Sequence, residues 1–299
     1  MNIVRVILAA FAMLIVSSCV STRPPVQQAP MPPSAETPRM ESADPRAVIY
    51  TLGGFPVDTQ NSVLLLNAGY AVGYSETLMD PLWAVYYCGP NADFENGPRP
   101  NKFSTDTRVS PAAQLKHTDY NRPAGVTPTY DRGHMAPNYA IATRYGREAQ
   151  LETFLLTNIC PQQSGLNQQT WRAMEAAIAN LYAPQFDGVW VVIGPIFDAQ
   201  PARYNGLAAM PEAFYCIVVD KAPDGHLRAL AVVMDQSVSG KHPLRDFATT
   251  VRAVEGMTGL DFFAALPDDV EDPLETTPAE ADWNLDLMLD ANSAALRDE

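Results

Sequence analysis

The feature that most constrains this chain is the polar run Tyr130-Asp131-Arg132-Gly133-His134-Met135-Ala136-Pro137, followed further on by Leu166-Asn167-Gln168-Gln169-Thr170-Trp171 and then Glu175. The first segment sets an imidazole near a guanidinium, with a glycine between them. The second offers a neutral oxygen and, behind it, a carboxylate. The recurrence of Trp171, Met174, Ile178 and Leu181 at helical spacing predicts a helix over Gln168–Tyr182. At about 100° per residue, Asn167 and Glu175 lie within roughly 80° of one another and can face one site. Phe154–Ile159 is strand-like and ends at Pro161. The local order is strand or loop with His134, strand with Asn158, then helix with Asn167 and Glu175, which is a ββα unit.

Residues 46–267 read as one α+β domain built on a central, mostly antiparallel β-sheet. Leu82–Cys88 before Gly89-Pro90, Gly188–Ile193 before Gly194-Pro195, Ala213–Val219 and Leu227–Met234 are β-rich apolar runs. The last two flank Pro223-Asp224-Gly225, which has the chemistry of a hairpin turn. Further helices are expected over Leu244–Met257, after Pro243, and over Arg144–Glu152.

The two ends differ from this domain. Residues 1–19 have the form of an export signal: Arg5 supplies a positive start and Val6–Val16 is an apolar run too short to span a bilayer, which takes roughly 20 residues. Val16-Ser17-Ser18-Cys19 fits a lipobox, in which Cys19 would carry a lipid anchor to the membrane; an ordinary cleaved signal with an incidental cysteine is the other reading. Val20 after the cysteine favours the outer membrane of a Gram-negative host, so the expected location is the bacterial cell envelope, with secretion as the alternative. Residues 20–45 are proline-rich and suit an extended tether. Residues 268–299 carry most of the formal charge of −14. They read as a solvated, mostly disordered acidic tail, with competition against nucleic acid for the cleft as a sharper reading. Trp283, Leu287 and Ala291 give a weak signal for one amphipathic helix there.

Cys88, Cys160 and Cys216 lie in the domain, so an odd thiol remains if no other chain is involved. Cys88 and Cys216, both in strand-like runs, are the preferred pair if a disulfide forms. No two cysteines are close enough in sequence for a zinc site of the usual spacing.

A neutral imidazole can take a proton from water near neutral pH, which makes His134 a candidate general base. His117, His226 and His242 have no such company and read as structural or exposed. Arg132 is a fixed fork for phosphate oxygens. Asn167 offers an oxygen to a hard cation such as Mg²⁺, which accepts few protein ligands; its competing role is a helix N-cap. Glu175 is either a partner of cation-bound water or a surface carboxylate. Asn158 either holds the histidine or the attacking water, or ends a strand. Arg99, in Arg99-Pro100-Asn101-Lys102-Phe103 ahead of Asp106 and Arg108, is a candidate second phosphate arginine or a solvated loop residue. Trp171 reads as core.

Asp131-Arg132-Gly133-His134, then Thr157-Asn158 with Pro161-Gln162, then Leu166-Asn167-Gln168 and Trp171, resemble in order and spacing the DNA/RNA non-specific endonucleases. Gly69–Glu76 with Pro81-Leu82-Trp83, Gly194-Pro195, Met210–Phe214 and Glu255–Phe263 extend the likeness over most of the domain, while Ala173 and Met174 depart from residues common in relatives. The resemblance implies a ββα-metal nuclease that cleaves DNA and RNA with one divalent cation, Mg²⁺ or Mn²⁺. It implies His134 as base, Asn167 as direct metal ligand, Glu175 as a water-mediated one, Arg132 and Arg99 on the phosphate, and Asn158 in support of the base. A homodimer is a further possibility from the family, without an interface signature in this sequence. The net acidity argues against a tight nucleic-acid-binding protein more than against a nuclease, which needs cations only in its cleft. An inactive nuclease-like envelope lipoprotein that binds nucleic acid or another envelope partner is the alternative reading; a phosphodiesterase for smaller substrates is a second.

Overall fold

The computed structural model describes residues 44–122, 125, 127–279 and 281–293. The signal segment, Cys19 and nearly all of the tether lie outside the described residues. In chain order the strands are β1 (Val63–Leu66), β2 (Ala71–Ser75), β3 (Asp80–Cys88), β4 (Tyr130–His134), β5 (Ile159–Gln163), β6 (Val189–Ile196), β7 (Arg203–Tyr204), β8 (Ala208–Ala209), β9 (Ala213–Lys221), β10 (Leu227–Asp235), β11 (His242–Pro243), β12 (Ala248–Thr249) and β13 (Met288–Leu289). The α-helices are α1 (Pro45–Tyr50), α2 (Asn138–Glu152), α3 (Arg172–Ala177), α4 (Ala183–Gln185), α5 (Val251–Thr258) and α6 (Asp268–Thr276). Pro45, the last residue of the expected tether, is already the first residue of α1, where Asp44 accepts a hydrogen bond from the Arg46 amide at 2.9 Å.

Seven strands form one sheet in the order β1-β2-β3-β6-β9-β10-β12, with every neighbouring pair antiparallel. The fold is α+β, and the sheet is covered on both faces. One face packs Tyr86, Ile193, Cys216 and Val232 against Trp171, Met174, Ile178 and Tyr182 of the helical run that carries Asn167. The other packs Trp83, Val85, Ile217 and Val219 against Tyr50, Val251, Phe262 and Leu274. Burial on both faces explains why β3, β6 and β9 read as continuous apolar runs rather than alternating ones. The β9–β10 hairpin closes with Lys221 opposite Leu227, and Gly225 takes the left-handed conformation its turn requires, at φ 94°.

The structure corrects several expectations. The helix expected from Leu244 starts only at Val251, where Thr250 caps it through the Ala253 amide, because Ala248–Thr249 first adds an edge strand to β10. The helix expected from Arg144 begins at Asn138 and kinks at Gly146. Phe154–Ile159 is not a strand: Leu156–Asn158 is a 3₁₀ turn and the strand runs from Ile159 through Pro161 to Gln163. β5 pairs only with β4, so Pro161 costs the ladder nothing on its open edge.

Cys88, Cys160 and Cys216 are buried free thiols. The Cys88–Cys216 pair is excluded by register: Cys88 lies opposite Val189 and Cys216 opposite Ile193, with β6 between them. Two strand spacings are roughly 10 Å, beyond the ~7 Å reach of a disulfide. The acidic tail is not disordered over its described residues. α6 buries Leu274, Ala281–Trp283 is a 3₁₀ turn with Trp283 in the core, and β13 pairs with β11, so the expected helix through Trp283 and Leu287 does not form. Among the described residues no helix is long and apolar enough to cross a membrane.

Candidate active site

β4 and β5 form a two-stranded antiparallel ladder with Arg132 opposite Pro161 and His134 opposite Ile159. Gly133 is required here by close approach: an added Cβ would lie 2.4 Å from the Gln162 side-chain oxygen and 2.6 Å from its Cβ. The chain then continues as one helical run across residues 166–185. Its first turn, Leu166–Trp171, is π-helical, followed by α3, a second π turn (Ile178–Tyr182) and α4. The ideal 100° rotation therefore does not hold through the first turn, yet Asn167 and Glu175 both line one cavity of about 560 Å³. Arg99, Arg132 and His134 line it as well, with Asn138, Gln168 and Arg172.

His134 is 7% exposed, wedged between the rings of Phe103 and Phe154 with centroids 5.4 and 4.9 Å away. Burial, then the positive charge of Arg99, depresses its pKa to about 3, against a backbone hydrogen bond with Arg132 that favours the protonated ring. Nε2 is buried and has no hydrogen-bond partner, so the Arg132 bond falls to Nδ1. A neutral ring that donates from Nδ1 leaves the Nε2 lone pair as an unused acceptor on a residue that lines the cavity.

Arg132 donates from Nη2 to the His117 carbonyl at 3.0 Å and stacks over Phe103 at 5.5 Å. Arg99 lies over Phe154 at 5.2 Å. The N-terminus of α2 closes another side of the cavity through Pro137, Asn138, Tyr139 and Ala140, and Pro137 provides no side-chain cap. Its first amides and the helix dipole favour an anion there. Arginines and a helix N-terminus thus make a cationic recess in an acidic chain.

Asn167 is not an N-cap, because it lies inside the π turn. Its Nδ2 donates to Asp131 Oδ2 at 3.0 Å, leaving the amide oxygen as its free-standing ligand end. Asp131 also accepts from Ser164 Oγ at 2.8 Å and from Gln168 Nε2 at 2.7 Å. This anchoring role was not legible in the sequence, where Asp131 was only a neighbour of the arginine. Its signal was Ser164, Asn167 and Gln168 shortly after β5, all able to donate. Asn167 and the half-buried Glu175 form a hard, all-oxygen donor set with room for waters, which fits Mg²⁺ or Mn²⁺. Replacing Asp131 by alanine is expected to raise the divalent-cation concentration needed for half-maximal activity about 10- to 100-fold, with partial recovery at high cation concentration. A cation titration of initial rates checks this, and an unchanged midpoint would remove Asp131 from the role.

Asn158 does not line the cavity. It is completely buried, and its amide accepts from the Ala136 N–H at 2.9 Å and donates to the Ala136 and Thr153 carbonyls at 3.0 Å each. Its backbone carbonyl accepts from Met135 N at 2.9 Å. Its bonds thus hold the two residues after His134, Met135 and Ala136. Asp106 and Arg108 pair with each other and with Asn67 and Thr157, and have a structural role. Trp171 is core, against Phe214 at 5.5 Å.

The sequence profile of the DNA/RNA non-specific endonucleases matches residues 51–269. The chain belongs to the DNA/RNA non-specific endonuclease family. It is 28% identical over 250 residues to the "Nuclease" of Serratia marcescens, covering 82% of this chain and 89% of that protein. It is 28% identical over 209 residues to "Endonuclease G, mitochondrial" of Bos taurus, covering 66% of this chain and 67% of that one. The human mitochondrial nuclease EXOG is 26% identical, and there the chain spans 60% of the relative's length. A solved structure of the EndoG/EndoGI complex, concerned with the mechanism of EndoG inhibition, aligns with a TM-score of 0.61 at 25% identity, over 73% of this chain and 91% of that one. The ββα unit and the antiparallel sheet are the architecture that this endonuclease family membership predicts.

Proposed function

We propose that the chain is an exported, divalent-cation-dependent endonuclease that hydrolyses phosphodiester bonds of DNA and RNA with little sequence preference. The observation that carries this reading is the unpartnered Nε2 of His134, buried in a recess shared with three arginines, Asn167 and Glu175. His134 takes a proton from the attacking water. Arg132 and Arg99 bind the phosphate oxygens and gain strength as negative charge builds on them, and the N-terminus of α2 adds to this. Asn158 keeps the strand end in place and acts through His134. Mg²⁺ or Mn²⁺ would be held by Asn167 directly and by Glu175 through water, and would supply neutralisation of the phosphate and of the departing 3′-oxygen. Products then carry a 5′-phosphate and a 3′-hydroxyl. Contacts to phosphate alone carry no base information, so specificity is low and binding weakens with salt.

Arg5, Val6–Val16 and Val16-Ser17-Ser18-Cys19 support export and a lipid anchor at Cys19, with residues 20–45 as the tether from an envelope membrane. Release as a secreted enzyme is the variant without the anchor, and assembly into a homodimer is part of the family-based reading.

The test is degradation of plasmid DNA and RNA by the full chain with Mg²⁺ or with chelator, beside Asn167→Ala. Both substrates are expected to be cut only with the cation, and Asn167→Ala is expected to lose activity by about 10²-fold or more. No cleavage by a folded chain would instead favour the inactive, nucleic-acid-binding envelope protein.

A further inference from the structure

On the face of the sheet opposite the nuclease recess, three elements bring carboxylates together. Glu255 on α5, Asp261 just after it and Glu275 on α6 each place an oxygen so that all three lie within 4.8 Å of one another. Glu275 is completely buried, and its Oε1 has no hydrogen-bond or ion-pair partner. The nearby cation is Arg252, whose Nη2 lies 2.7 Å from Glu275 Oε2. The same guanidinium is shared with Asp272 at 2.8 Å and with Glu255 at 3.5 Å. One arginine therefore faces several carboxylates, since Asp261 and Glu271 add their charge to the same spot. Glu255 spends its other oxygen on the Phe262 amide at 2.9 Å, which fixes it in place. Burial, then the charge of Glu255, pushes the Glu275 carboxyl up to about 8. A buried acid with an unused oxygen aimed into a group of like charges is short of positive charge, not of packing.

We propose that Glu255, Asp261 and Glu275 form a Ca²⁺ site, separate from the nuclease recess, that fastens helix α6 to α5. The chemistry selects the ion. Three carboxylates on separate elements suit the flexible oxygen coordination of Ca²⁺ better than the strict octahedron of Mg²⁺, and the group has no imidazole or thiolate to favour zinc. Asp261 is exposed, so the ion can enter and keep waters on its outer side. The expected affinity is that of extracellular calcium modules, about 10⁻⁴–10⁻³ M.

The experiment uses the full chain, stripped with chelator, in an Asn167→Ala background that removes the cation site of the nuclease recess. CaCl₂ is titrated by calorimetry, and thermal unfolding is followed with and without it. One bound Ca²⁺ and a Tm that rises with its concentration are expected. Asp261→Asn changes only an exposed side chain; it should weaken binding at least tenfold and remove most of the Tm rise. Glu275→Gln should abolish both. No calcium heat in the Asn167→Ala background, or an Asp261→Asn variant that binds as before, would overturn the proposal and leave Glu275 as a protonated acid beside Arg252. Neither readout depends on cleavage, so this site and the nuclease assignment stand or fall separately.

Discussion

Replacing His134 by alanine is expected to slow cleavage of both DNA and RNA by about 10²- to 10⁴-fold, the range a positioned general base supplies, without loss of the fold. The ring makes no hydrogen bond through Nε2, so its removal costs one hydrogen bond, the one between Nδ1 and the Arg132 backbone. What the variant loses in packing against Phe103 and Phe154 is offset at acid pH. The sign follows from linkage. His134 has a folded pKa of about 3 against roughly 6.5 when unfolded, so between these values the unfolded chain binds the extra proton. Wild-type stability attributable to this residue is therefore full above about pH 6.5 and falls as pH drops towards 3. Urea unfolding of wild type and His134→Ala at neutral and acid pH should show the gap between them shift in the variant's favour on acidification. The comparison isolates His134 from Asp80 and Glu275, whose raised pKa values act in the opposite direction. For the same reason the acid limb of kcat/KM should lie below the ordinary histidine value of roughly 6.5. A variant that cleaves near the wild-type rate would remove His134 as the base.

The parts legible in the sequence are those whose chemistry is local. β3, β6, β9 and β10 announce themselves because their residues are buried whatever way they point, and Arg132, His134 and Asn167 because their order is unusual. The rest depends on tertiary pairing. β12 is two residues long and exists only because β10 offers an edge; nothing in Ala248-Thr249 distinguishes it from a helix start. Phe154-Leu155-Leu156 looks like a strand, but Phe154 is needed as a wall beside His134 and the ladder starts later. Asn158 was recognisable as a residue and not as a role, because a buried amide clamped on Ala136 and a solvent-facing one have the same letter. The N-terminus of α2 was missed because Pro137-Asn138 carries no capping signal, and no side chain caps it where its first residues line the recess. Asp131 shows the same limit: its place beside Arg132 gives no hint that it accepts from Ser164, Asn167 and Gln168, with Arg122 3.8 Å away.

Ending the chain at Pro267 is expected to destroy the nuclease, although the acidic composition after that point suggests a dispensable tail. Trp283 is 0% exposed and packs against Phe186 at 4.7 Å and Tyr182 at 5.3 Å, while the Tyr182 hydroxyl donates to the Trp283 carbonyl at 3.0 Å. Leu244 and Arg245 donate backbone bonds to Leu287 and Leu285, and Leu289 is also fully buried. Leu274 fills the opposite face of the sheet. Tyr182 belongs to the helical run that presents Asn167 and Glu175, so removing Trp283 uncovers the underside of the active-site helix. Trp283→Ala alone should cost ~3–5 kcal/mol, the range for a large aromatic lost from a core. Domains of this kind hold only ~5–15 kcal/mol in total, and the truncation removes Trp283, Leu274 and Leu289 together. Urea unfolding should show a large fall in midpoint for Trp283→Ala, and the chain ending at Pro267 should show no cooperative transition and no cleavage at any salt concentration. A disordered tail that competes with nucleic acid gives the opposite result, a folded fragment more active at low salt than the full chain. That outcome would return the acidic segment to the role its charge suggests and would mean that the packing of Trp283 adds little to stability.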